Sequence, residues 1–381
     1  MAEHVARAGK SKAKHLSQEI SVALRERRWA EAATLLAELS RTSASNVKLG
    51  SLQRWTRDAD ACVDDDKAQW RALLWLLCRV AAGQAADTPS RDVPLRRSVF
   101  AALPRAEASD PTPACATTAK PAYVCAREKA AQRTPPNKFD LTIWAQTESV
   151  LDGAAQATRV DVPAVPGAFL VRDVFSPTES GRLLALASTL GYERDEPLDA
   201  AARSRLEASQ TTTSAFACLD SDFTTEEEEE EAQPAADVLL TDHSLRSRAC
   251  VVVVDERTHD AVFERLRAHL PAELEDCCDA KGRRRGVGKL VGLNRRWRFY
   301  RYDAGGTYRP HVDGAWPGSG VTGPRDRPRY EYDAFGDRLS RLTMLVYLND
   351  DFEGGETAFF SAGDDSIDVT AVQPLRGAVL F

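Results

Sequence analysis

The chain has 381 residues, 43% of them hydrophobic, which suits a globular protein long enough for two domains. Its formal charge of −7 is partly local, because Glu226 to Glu231 form an uninterrupted acidic run, and it gives no case for a nucleic-acid binder. Eight cysteines with no C-x-x-C, of which only Cys277 and Cys278 are neighbours, make neither a zinc nor a disulfide framework.

The first fifteen residues are polar and basic and lack the apolar stretch of a secretory signal. No segment approaches the roughly 18 consecutive apolar residues of a spanning helix. Reduced thiols and these missing signals together predict a cytoplasmic or nuclear protein without a membrane partner.

Residues 1–89 read as a helical module. Leu16, Ile20, Ala23 and Leu24 share one helical face, with Ser17 as a candidate N-cap, and Trp29, Ala32, Ala33, Leu36 and Leu39 continue at helical spacing. Leu49, Leu52, Trp55 and Ala59 mark a third helix, and Trp70, Leu73, Leu74, Leu77 and Cys78 a fourth. No ligand-like cluster lies here, so the module is expected to dock a protein rather than to catalyse.

Residues 90–138 are rich in Pro, Ala, Ser and Thr and read as a linker, with a short helix over Leu95 to Leu103. Beyond it, 139–381 forms a third unit. Val160 to Val174 is β-like, and Pro177 to Leu190 spaces Leu183, Leu184, Ala187 and Leu190 as a helix. Residues from about 200 to 242 are acidic and Thr-rich, too poor in large apolar side chains to offset ordering entropy, and are expected to be a disordered insertion. Order returns with a strand over Ala249 to Val254 and a helix over Asp260 to Leu270. Strands are then predicted over Arg296 to Tyr302, Arg341 to Leu348, Glu356 to Phe360 and Gly377 to Phe381. This pattern predicts an α+β fold with a β-sandwich or jelly-roll core. A basic cluster, Lys281, Arg283, Arg284, Arg285 and Lys289 followed by Arg295, Arg296 and Arg298, interleaves only Trp297 and reads as a solvated loop, so nucleic acid is not the expected partner.

The chemistry is carried by His311 and Asp313. On a strand, residues two apart face the same side, so the imidazole and the carboxylate of this H-x-D pair can grip one ion. With a further His, one nitrogen and one hard oxygen suit non-haem Fe(II) with open positions. Gly305 and Gly306 make a turn ahead of the pair, and Gly354-Gly355-Glu356-Thr357 reads as a structural turn after it.

Four motifs follow one another: R-Y-x-x-G-x-x-Y-x-x-H-x-D from Arg301, R-L-T-x-L-x-Y-L-N from Arg341, G-G-E-T-x-F from Gly354 and P-x-x-G-x-x-x-F from Pro374. With them, the segment from about Val165 to Phe381 resembles the Fe(II)/2-oxoglutarate-dependent dioxygenases, in the branch similar to the prolyl 4-hydroxylase catalytic domain. The likeness is densest over Arg296 to Phe381 and leaves the helical module outside it. It implies a double-stranded β-helix, a jelly roll that this chain would hold C-terminally incomplete. It also implies hydroxylation of a protein side chain, prolyl among the candidates, with Fe(II), 2-oxoglutarate, O2 and ascorbate as cofactors and succinate and CO2 as co-products. His311 and Asp313 match its first two metal ligands. Tyr302 matches a co-substrate-binding tyrosine, and Tyr308 and Thr343 would line the same pocket, where core packing is their other reading. The family's distal His and its basic 2-oxoglutarate anchor would follow the segment Gly377 to Phe381, while His4, His15, His243, His259 and His269 all precede the motif. A fragment of a longer enzyme is the expected explanation. The alternative is a non-catalytic binding or scaffold protein with a degenerate dioxygenase-like domain.

Overall fold

The computed structural model describes residues 2–42, 47–90, 92–103, 122–133, 137–153, 155–195, 198, 247–278, 284–324 and 328–381. The acidic insertion, and Lys281 and Arg283 of the basic cluster, lie outside the described residues.

Five helices open the chain: α1 (Ala2–Arg25), α2 (Trp29–Arg41), α3 (Leu49–Asp60), α4 (Cys62–Asp65) and α5 (Lys67–Ala81). Most apolar positions expected at helical spacing are buried: Leu16, Ile20, Ala23 and Leu24 of α1 pack with Leu36 and Leu39 of α2, Trp55 of α3 and Leu73 and Leu77 of α5, while Trp29, Leu52, Trp70 and Cys78 are half-buried and Leu49 is exposed. Ser17 is not an N-cap. It sits well inside α1, and its hydroxyl donates to the Ala13 carbonyl one turn back at 2.9 Å. The cap that matters is Asp66, whose carboxylate accepts from Ala68 N at 3.0 Å and Gln69 N at 3.1 Å at the start of α5. Asp66→Ala is expected to cost about 1 kcal/mol, measured as a lower urea midpoint with unchanged slope.

Sixteen strands follow among the described residues. β1 (Leu95–Phe100), β2 (Ala122–Glu128), β3 (Leu141–Gln146), β4 (Thr158–Asp161) and β5 (Phe169–Arg172) precede α6 (Pro177–Leu190). Then come β6 (Glu193–Arg194), β7 (Ser247–Val253), α7 (Glu256–Leu266), β8 (Glu273–Cys278), β9 (Arg284–Lys289) and β10 (Arg296–Tyr302). The chain closes with β11 (Gly320–Thr322), β12 (Arg329–Glu331), β13 (Leu345–Val346), β14 (Thr357–Ala362), β15 (Ile367–Val372) and β16 (Val379–Leu380). Helices and several sheets make a mixed α+β protein.

The sheets run in the orders β1-β15-β14, β10-β7-β3-β2 with β6 also on β7, β13-β16-β5-β4, β11-β12 and β8-β9. Leu95–Phe100, expected as a helix, is instead a strand pairing in parallel with β15 along its whole length, from Leu95 opposite Ile367 to Phe100 opposite Val372. β2 likewise lies within the stretch read as linker and pairs with β3. α6 has the bounds the sequence predicts, because Ser176 and Glu179 form a reciprocal capping box and Pro177 opens the first turn. α7 starts four residues earlier than Asp260, where Asp255 accepts from Arg257 N and Thr258 N.

Two packing layers position the site. α6 and α7 cover one face of the sheets through Leu183, Ala187, Val262 and Leu266, against Val171, Val252, Phe299 and Val379. The helical module packs on the β1-β15-β14 sheet. Ile367 and Val369 of β15 belong to the core of α1, α2, α3 and α5, and Trp75 Nε1 of α5 donates to the Gly363 carbonyl at 2.9 Å. α5 is apolar on more than one face because it is buried on both sides.

Candidate functional site

The site grows out of β10. Alternation along this strand sends Trp297 and Phe299 into the layer under α6 and α7, and Arg298, Tyr300 and Tyr302 to the opposite face. Arg298 pairs there with Asp195, which also accepts from Arg133 at 2.6 Å and from Asn137 Nδ2 at 2.9 Å. Arg296 pairs with Glu128 at 3.2 Å, and Arg295 with Glu256 at 3.4 Å. These members of the basic cluster are therefore neutralised in the fold.

β10 ends in a tight turn in which Gly306 N donates to the Asp303 carbonyl at 2.8 Å. Gly305 takes φ +75°, the left-handed conformation this turn requires and that only glycine adopts freely. The reversal lays Tyr308 edge-on against Tyr300, ring centroids 5.7 Å apart, and His311 edge-on against Tyr308 at 4.6 Å. Tyr302 joins the cluster through Tyr300, at 6.2 Å. Burial pushes the Tyr300 phenol well above its ordinary value, so it stays a neutral hydroxyl.

His311 and Asp313 are not on a strand. The backbone from Asp303 to Trp316 makes no ladder pairing, and the two side chains converge through the loop's own conformation. His311 Nδ1 lies 2.8 Å from the Arg309 carbonyl, and Nε2 lies 3.2 Å from Asp313 Oδ1. A carbonyl only accepts, so Nδ1 carries a proton, and a neutral ring presents its Nε2 lone pair to the carboxylate. Two acceptors share such a gap only with a cation between them, either a proton on Nε2 or a metal ion. Burial alone would lower the His311 pKa, but the bonds to Asp313 and the Arg309 carbonyl raise it above its ordinary value. Asp313 is held below its ordinary value by the His311 bond first and also by the Thr343 hydroxyl, against burial.

The spacing also fits a metal. Two donors each about 2.1 Å from one ion, at a right angle, stand about 3 Å apart. The contact to Arg309 is the outer bond that a ligating imidazole ordinarily makes through its other nitrogen, and the Thr343 hydroxyl does the same for the carboxylate. Among the described residues no group of three or more His, Cys, Asp or Glu side chains could hold a metal, so the site offers two protein donors. Four cysteines do not supply a thiolate near neutral pH: burial pushes Cys62, Cys78 and Cys250 up to about 12 and Cys125 up to about 11.

Thus the structure brings His311, Asp313, Tyr308 and Thr343 together, with Tyr302 at the margin. Thr343 acts on Asp313 itself, a contact that the pocket-lining expectation did not contain. All five residues line one open cleft of about 4750 Å³, far larger than the roughly 300–1,000 Å³ of a small-molecule site. The Gly354-Gly355 turn is structural: both residues take positive φ, and Phe352 packs against Gly355 so closely that a Cβ there would lie 2.6 Å from its ring. Sequence reading missed Gln53 and Asp60 of α3, which reach the loop of His311 and Asp313; nothing in their local pattern marks them. No protein-family model, no curated protein and no solved structure matches the chain.

Proposed function

We propose that this chain is an iron- and 2-oxoglutarate-dependent dioxygenase that hydroxylates a protein side chain, with prolyl the first residue to test. The reading rests on the four-motif array and on one observation above all: His311 Nε2 and Asp313 Oδ1 converge at 3.2 Å while Nδ1 is committed to the Arg309 carbonyl. In this reading the sheets flanking the cleft belong to a double-stranded β-helix. Fe(II) with 2-oxoglutarate and O2 supplies the oxidation when bound, yielding succinate and CO2, and ascorbate keeps the iron reduced. The protein's own residues do the rest. Arg309 fixes the imidazole ring, Thr343 turns the carboxylate, and Tyr302 and Tyr308 offer hydroxyls to the co-substrate. The cleft's volume of about 4750 Å³ suits a polypeptide segment better than a small molecule.

Anaerobic Fe(II) titration and 2-oxoglutarate turnover test this. Saturable binding is expected, and His311→Ala should weaken it by roughly 100-fold or more, at or beyond the upper range seen for losing an outer-shell partner alone. Succinate formation should exceed that of the same variant. Iron binding without succinate would move the protein to the non-catalytic binding reading, and no saturable iron at all would overturn the metal assignment.

A further inference from the structure

The loop that carries His311 and Asp313 has no sheet ladder, yet its metal-facing atoms must be held in place for any ligand to bind tightly. The partner that replaces the ladder comes from the N-terminal helical module. Gln53 Nε2 on α3 donates to the carbonyl of Val312, the residue between the two ligands, at 3.2 Å. The same amide packs onto Gly314, where a Cβ would lie only 2.8 Å from Gln53 Nε2. Two turns further along α3, Asp60 pairs with Arg309 Nε at 3.3 Å, and its side chain is only 8% exposed. Arg309 is the residue whose carbonyl fixes the His311 ring. Positions 53 and 60 lie seven apart and so share one helical face. One face of α3 therefore grips the loop on both sides of His311 and again after Asp313.

We propose that α3 is an integral part of the site, with Gln53 and Asp60 as positioning residues that set the mutual geometry of His311 and Asp313. The assignment rests on the reading that these two side chains hold an ion. It means that the helical module, outside the family likeness, governs the metal site rather than merely carrying it. Val312 lies between the two ligands in the chain, so a shift of its peptide changes the placement of one relative to the other.

The test uses the full chain with Co(II) as the probe, together with hydrogen exchange of the metal-free protein over residues 303–317. Gln53→Glu keeps the size of the side chain but replaces the donor with an acceptor facing the Val312 carbonyl. Gln53→Met keeps the stem over Gly314 and removes only the donor. Asp60→Asn weakens the hold on Arg309. Each variant is expected to bind Co(II) about 10-fold more weakly. Each should also change the ligand-field absorption of the ion and speed amide exchange across the loop, with little change in melting temperature for the two Gln53 variants. Unchanged exchange in all three variants would overturn the proposal, whatever the metal does. Absence of a saturable Co(II) site in the wild-type chain would instead sink the ion-binding reading, and the exchange rates would still decide whether α3 holds the loop.

Discussion

Replacing Gly377 with alanine is expected to lower stability by about 4 kcal/mol or more, among the largest effects available to a single methyl group. Gly377 has φ +81°, and a Cβ built there would lie 2.1 Å from the Phe175 carbonyl oxygen, a backbone atom that cannot swing aside. The two segments approach so closely because the Gly377 carbonyl accepts from both Val174 N at 3.1 Å and Phe175 N at 3.0 Å, while Gly377 N donates to the Tyr347 carbonyl at 2.8 Å. Relieving the overlap would stretch all three bonds, each worth about 1 kcal/mol net, on top of roughly 1–2 kcal/mol for a left-handed alanine. The effect would spread, since these bonds join the β13-β16-β5 sheet to the entry of α6. Gly336 is the control. It also has positive φ, +70°, but nothing lies within 4 Å of a Cβ there, so Gly336→Ala should cost only the backbone part. Equal losses of urea midpoint in the two variants would show that the close approach to Phe175 is not what requires the glycine.

What the sequence made legible divides along the range of the interactions. α6 is bounded by residues within its own first turn, Ser176, Pro177 and Glu179, so a local reading finds both ends. β10 is legible because four aromatic side chains with strong strand preference, Trp297, Phe299, Tyr300 and Tyr302, fall within seven consecutive residues. Leu95–Phe100 misleads for the same reason. Leu95, Val99 and Leu103 stand four apart, as on a helix, and what makes a strand there is the free edge of β15, some 270 positions later in the chain. The convergence of His311 and Asp313 was readable from their types and spacing, but not the means. They meet in a loop that Gln53 bonds across a separation of 259 residues, and no periodicity in α3 distinguishes a helix that contacts such a loop from one that packs on a core. The Thr343 contact to Asp313 belongs to the same class, a tertiary bond that residue type permits without announcing it.

Glu179→Gln should be the other costly change, by about 3–5 kcal/mol at neutral pH, because it leaves a guanidinium buried without its countercharge. The Glu179 and Arg265 side chains are 3% and 5% exposed. Glu179 Oε1 accepts from Asp152 N at 2.7 Å and from Arg265 Nη2 at 2.7 Å, while Oε2 accepts from Ser176 N at 2.8 Å and Arg265 Nη1 at 3.0 Å. A glutamine amide has one acceptor oxygen, and its NH2 group would face two of these donors. Arg265 further donates to the carbonyls of Val174, Asp152 and Gly153, so the pair ties α6, α7 and the loop after β3 behind the sheet that carries the site tyrosines. Burial alone would raise the Glu179 pKa, but the Arg265 bonds and the Ser176 and Asp152 amides hold it below the ordinary 4.5. A carboxylate with a lowered folded pKa contributes stability that is fully present above its unfolded value and is lost as pH falls through the folded one. The gap between wild type and Glu179→Gln should therefore be constant from pH 7 to about 5 and narrow below 4.5, where protonation gives the wild-type chain the same neutral side chain. Urea midpoints across that range measure it. A gap that stayed parallel into acid would mean that the glutamate's shape, and not its charge, holds the two helices together.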